Sequence, residues 1–80
     1  MSHTPHELVE EFPKQVAQIA ALKLSDAHFA KLSEEYHTLN RTIHRAETDV
    51  EPTSDDNMQN MRRERLRLKD QIAVYLRENA

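Results

Sequence analysis

From Phe29 to Val50 the apolar positions fall in an unbroken alternation of three and four: Phe29, Leu32, Tyr36, Leu39, Ile43, Ala46 and Val50. That spacing keeps one edge of a helix turned toward a neighbour along its whole length. No Gly or Pro interrupts the run. The pattern therefore predicts a long helix over residues 25–50, about 37 Å at 1.5 Å per residue, with one edge that has to be covered. Ser25 is the expected N-cap, with Asp26 at the positive end of the helix dipole. Leu24 and Phe29 have the spacing of a hydrophobic staple.

Pro52 pushes Glu51 out of the helical region and predicts a turn at 51–53. Thr53 is placed to cap a second helix over 54–78, with Asp55 and Asp56 in its first turn. A connection this short makes the two helices antiparallel neighbours. The same alternation continues through Met58, Met61, Arg65, Leu68, Ile72 and Tyr75. Folding the chain about Pro52 opposes Ala46 with Met58, Ile43 with Met61, Leu39 with Arg65, Tyr36 with Leu68, Leu32 with Ile72, and Phe29 with Tyr75. Glu47 and Arg62 flank this seam as an ion pair.

Upstream, Thr4-Pro5-His6-Glu7 has the form of a capping box with Pro at the first helical position. Leu8, Val9, Phe12, Val16, Ile19, Ala20 and Leu22 follow at helical spacing. Pro13 breaks this stretch, since it lacks an N–H and clashes with the preceding turn. The reading is a helical segment over 4–22, with a short helix ending near Phe12 and a second stretch to about Leu22. The fold class is all-α: a single small domain built as an antiparallel, coiled-coil-like hairpin with a short N-terminal helical segment. Leu66, Ala73 and Leu76 lie beside the seam and widen its apolar face. Either the N-terminal segment or a second chain covers that surplus. A homodimer is favoured, because two helices alone make a thin core.

Composition narrows the chemistry. Eighty residues without cysteine exclude disulfides and thiolate metal sites. With no glycine, neither a phosphate-binding loop nor a dinucleotide fingerprint is possible. A formal net charge of −3 gives no global drive toward nucleic acid or anionic membranes. Residues 1–6 lack the basic and apolar regions of a signal peptide, and no run approaches a membrane span. A soluble cytoplasmic protein is the expectation.

Glu34 and His37 have the Glu-x-x-His spacing that brings both side chains to one ion from a helix. A dimetal bundle needs two such motifs and further carboxylates, so the pair is read as surface, and no metal or cofactor is expected. His37 and His44, with Arg41 and Arg45, form a mildly basic strip. Arg62, Arg63, Arg65, Arg67 and Lys69 spread around the helix axis and are diluted by Glu64 and Asp70. Arg65 breaks the apolar seam. Its charge has to reach water along its stem or meet an acid such as Glu47 or Glu35; a polar seam residue also specifies register or oligomeric state. The Tyr36 and Tyr75 rings are packing groups with the hydroxyl at an edge, and no catalytic arrangement is recognisable.

Several segments carry a resemblance. They are Ser25-Asp26-Ala27-His28-Phe29, Glu35-Tyr36-His37, Ile43-His44-Arg45, Val50-Glu51-Pro52-Thr53-Ser54-Asp55 and Arg65-Leu66-x-Leu68-Lys69-Asp70-x-Ile72. With the opening His6-Glu7-Leu8 and Glu11-Phe12-Pro13, they resemble the YdcH-like family. The resemblance implies a helical hairpin in a bacterial cytosolic setting, and it brings no activity and no catalytic residue.

Taken together, the sequence points to a non-enzymatic module that offers helical faces to itself and to an unidentified protein partner. Phe12, Val16, Ile19, Arg65, Leu66 and Leu76 are its expected contacts. The alternative is a small regulator that binds RNA or DNA through Arg41, Arg45, Arg62, Arg63 and Arg67.

Overall fold

The computed structural model of the chain describes residues 4–48 and 53–79. These form α1 (Leu8–Glu11), a 3-10 turn at Pro13–Gln15, α2 (Val16–Ser25), α3 (Ala27–Glu47) and α4 (Asp55–Glu78). Among the described residues there is no strand. The longest dimension, 38 Å, is set by α4, whose 24 residues span about 36 Å.

α3 and α4 pack against each other as the hairpin, on the expected register. The Phe29 and Tyr75 rings lie 5.3 Å apart. Arg62 Nη2 donates to Glu47 Oε2 at 2.8 Å, the predicted flanking pair. The core consists of Phe29, Leu32, Tyr36, Leu68, Ile72 and Leu76 from the hairpin, with Leu8 and Ile19 from the N-terminal segment. Ile43 and Ala46 are buried farther along α3.

The N-terminal segment is a strap laid on this hairpin. Leu8 and Ile19 are its buried anchors, and Phe12 and Leu22 pack beside them. This cover changes the seam of α4. Leu76, expected beside the seam, is only 4% exposed, because the strap extends the core to that flank. Gln18 Nε2 closes the end of α4 by donating to the carbonyls of Leu76 at 2.8 Å and Asn79 at 2.9 Å, where the helix has no amides of its own to offer.

Five boundaries differ from the sequence reading. One is the end of α3, expected at Val50, which falls at Glu47; Thr48 lies in a turn and its hydroxyl donates to the His44 carbonyl. The Thr4 capping box does not form: Pro5 and His6 make a turn, and Glu7 is the N-cap of α1 without a side-chain bond. His6 has φ 63°, a left-handed conformation that histidine tolerates better than most residues. Its carbonyl and that of Pro5 are both bonded to α3, which holds the turn. Pro13 does break the segment; Phe12 is held away from helical geometry, as a residue before proline should be. α2 then runs to Ser25 rather than Leu22.

Asp26, not Ser25, caps α3. Its Oδ1 accepts from the amides of His28 at 3.0 Å and Phe29 at 3.1 Å. Ser25 stays in α2 and donates its hydroxyl to the Ala21 carbonyl. The Leu24 staple is absent as well: Leu24 is 91% exposed, because it sits on the outward side of α2. α4 is capped by Ser54, which accepts from the Asn57 amide, while Thr53 accepts from the Asn57 side chain. Val50 and most of the turn expected at 51–53 lie outside the described residues.

Candidate interaction surfaces

Two sides of the hairpin differ in chemistry. Under the strap runs a belt of polar bonds. The Tyr36 hydroxyl donates to the His6 carbonyl at 2.6 Å. Asn40 Nδ2 donates to the Pro5 carbonyl at 2.9 Å, and Asn40 Oδ1 accepts from Arg65 Nη1 at 3.0 Å. Glu7 Oε2 meets His37 Nδ1 at 2.7 Å, with Arg41 at 3.9 Å from the other oxygen. Lys69 donates to Glu11 at 3.0 Å. Burial alone pushes the Glu11 carboxyl up, but the hydrogen bond and charge of Lys69, with His6, outweigh it and hold Glu11 below its ordinary value. The Tyr36 hydroxyl is pushed up to about 12 by burial and by the charge of Glu11.

Arg65 therefore meets a neutral amide, where the sequence suggested Glu47 or Glu35. Glu47 is engaged by Arg62, and the amide reaches Arg65 from the buried side of α3. Sequence reasoning missed Asn40, although a signal was there. Phe29, Ser33, Tyr36, Asn40 and Ile43 form a second alternation, displaced from the first, and every member is buried. This is the edge of α3 that faces the strap. Tyr36 and Asn40 within it receive the backbone carbonyls of His6 and Pro5, whereas the Ser33 hydroxyl is buried without a hydrogen-bond partner among the described residues.

On another side, no strap residue contributes. A groove of about 440 Å³ runs along the hairpin, lined by Leu39 and Leu68, by Thr38 and Thr42, and by Glu34, Glu35 and Glu64. Its floor is apolar and its rim carries three carboxylates. Hydrogen bonding from Arg67, the largest influence, outweighs desolvation and holds the Glu64 carboxyl below its ordinary value, so this member of the rim is ion-paired with Arg67.

The expected contact residues are scattered among these surroundings. Ile19, 3% exposed, and Leu76 face this chain's own core, so neither is a surface residue in this arrangement. Phe12 is half-buried and lines a smaller recess with Gln15, Gln18, Ala73, Leu76 and Arg77. Arg65 is half-buried on Asn40. Val16 and Leu66 are open, at 45% and 57% exposure. The arginines considered for nucleic acid do not converge: Arg41, Arg62 and Arg67 face carboxylates, Arg45 bonds the Thr42 hydroxyl, and Arg63 is exposed. His37 of the Glu-x-x-His pair is turned to Glu7. Among the described residues no group of three or more His, Cys, Asp or Glu is arranged to hold a metal ion.

This architecture, two long antiparallel helices under a short helical strap of the same chain, defines a small helical-hairpin protein. The model of a family described as "Protein of unknown function (DUF465)" matches residues 29–76, more than half of the chain. The chain belongs to that family, which is the YdcH-like family its motifs resemble. The matched region covers most of α3 and α4 and leaves the strap outside it. No curated protein and no solved structure matches the chain. Among the described residues no helix is long and apolar enough to cross a membrane.

Proposed function

We propose that this protein is a non-enzymatic adaptor whose hairpin receives an amphipathic helix of a partner protein in the groove over Leu39 and Leu68. The observation that carries the reading is the union of an apolar floor with a rim of Glu34, Glu35 and Glu64, on a side where the strap offers no cover. Helix-in-groove recognition uses apolar anchors one turn apart for affinity. Charges around the rim act on orientation and rate more than on affinity. With Glu64 paired to Arg67, the carboxylates of Glu34 and Glu35 select a helix flanked by Lys or Arg.

The test is a titration followed by amide NMR spectra, with a model amphipathic helix of leucine and lysine as the probe. Binding is expected to shift the amides of Leu39, Thr42 and Leu68. The double change Glu34→Lys, Glu35→Lys is expected to weaken it without altering the helical signal. Absence of binding, or shifts confined to other surfaces, refutes the reading. Tighter binding of a single-stranded oligonucleotide than of the peptide, lost on removing Arg41, Arg45 and Arg63, would replace it with the nucleic-acid alternative.

A further inference from the structure

A single residue separates α2 from α3. Asp26 is extended, with φ −131° and ψ 106°, while Ser25 before it and Ala27 after it are helical. The helical ladder nearly runs through the break. The Asp26 amide already donates to the Leu22 carbonyl at 2.9 Å, and the Asp26 carbonyl already accepts from the Ala30 amide at 3.0 Å. Neither Gly nor Pro occurs between Pro13 and Pro52, so no residue near the hinge forbids a continuous helix.

At the hinge itself, the bend is held by the Asp26 carboxylate. One oxygen takes the amides of His28 and Phe29, which in a straight helix would return to the carbonyls of Leu24 and Ser25. The other accepts from the Tyr75 hydroxyl at 2.6 Å and so ties the hinge to α4. If Asp26 turned helical, α2 and α3 would become one rod, and the strap would be carried off its own hairpin. Phe29, Ile72 and Leu76 would then lose the apolar cover of Ile19.

A second copy that straightens in the same way restores that cover. Each strap would dock on the other hairpin through the contacts it now makes at home, because those contacts are indifferent to which chain supplies them. The cost of exchange is confined to the hinge. Leu24 gives an independent indication: it lies two residues from Asp26, is nearly fully exposed, and has no apolar role in the bent form. Hinge segments of two exchanged chains run beside each other, and there a protruding leucine acquires a partner.

We infer that the strap seat on α3 and α4 is an interaction surface for a second copy of this chain, occupied in a strap-exchanged dimer that forms when the Asp26 hinge straightens. The inference is independent of what fills the Leu39 groove, and changes at Glu34 and Glu35 are expected to leave it untouched.

The test measures mass by light scattering on Asp26→Ala, which removes the carboxylate and favours the helix, and on Asp26→Ser, which keeps a capping hydroxyl. Asp26→Ala is expected to lower the dimer dissociation constant by about tenfold or more, and Asp26→Ser, which keeps a cap but loses the Tyr75 tie, by a smaller factor. The cysteine-free chain permits clean spin labels at Ala17→Cys and Arg77→Cys. Chains labelled at one site each, mixed as the Asp26→Ala variant, are expected to show between chains the distance that the doubly labelled parent shows within one chain. If Asp26→Ala does not fold, Tyr75→Phe, which releases only the α4 tie, is expected to shift the same equilibrium in the same direction. Asp26→Ala and Tyr75→Phe both folded and no more dimeric than the parent would overturn the inference. So would a dimer whose straps remain on their own hairpins.

Discussion

Replacing Asn40 by leucine is the most informative single perturbation of this fold. Asn40 is fully buried, and its amide joins three elements: it donates to the Pro5 carbonyl in the strap and accepts from Arg65 on α4. Leucine has the same branching and number of heavy atoms, with bulkier methyl ends, and keeps neither bond. The neutral bond to Pro5 is worth ~1 kcal/mol and the bond from a guanidinium ~1.5–3 kcal/mol. Burial of the leucine offsets part of that loss, so Asn40→Leu is expected to cost ~2–3 kcal/mol. A chain of this length has ~4–12 kcal/mol of stability in all, and the change should lower Tm by roughly 8–24 °C.

A second change isolates the Asn40–Arg65 bond. Arg65→Met removes the charge and leaves the Asn40 oxygen without its donor, at an expected ~1–2 kcal/mol. In the double variant neither group remains to be orphaned, so the combined loss should fall short of the sum by ~1–2 kcal/mol. Urea unfolding followed by circular dichroism gives all four values. Additive effects to within ~0.5 kcal/mol, or an Asn40→Leu variant as stable as the parent, would mean that this bridge does not hold the strap.

Two further outcomes follow from the same core. Tyr36, held neutral until pH is about 12, contributes stability that is fully present below the ordinary tyrosine value near 10 and is lost as pH rises through 12. Tyr36→Phe should cost ~1 kcal/mol at neutral pH and flatten the stability loss between pH ~10 and ~12, as read from unfolding midpoints. An unchanged alkaline slope would contradict the assignment. Ile72→Ala, at a fully buried site, should cost ~2–5 kcal/mol by urea unfolding, whereas Leu24→Ala should stay within ~0.5 kcal/mol of the parent; equal effects would mean that the core is misplaced.

The hairpin was legible because both of its helices carry their pairing in side chains of one chemical kind. Phe29 against Tyr75 and Glu47 against Arg62 follow from counting around Pro52, because the short connection sets where α4 begins; the apolar pattern alone accommodates a slip of one turn. The caps were less legible. Ser25 and Asp26 are both good N-caps, and what decides between them is Tyr75, whose hydroxyl reaches only Asp26 and comes from a residue distant in sequence. Propensity has no view of such a contact.

The strap was hardest to place because much of its attachment is made through backbone carbonyls. Pro5 and His6 bond α3 with groups that every residue possesses, so nothing in their side chains announces it. The receiving side is where sequence does speak. Asn40, interleaved with Phe29, Tyr36 and Ile43, reads as an interruption of an apolar stripe until the stripe is counted from its neighbouring edge. The consequence is physical as well as interpretive. A helix held along an apolar seam tolerates small adjustments of register, whereas a strap held by directional bonds to two carbonyls, one amide and one carboxylate hinge is either seated or released. Local opening in such a chain should therefore occur at the strap as a unit, with the hairpin retained.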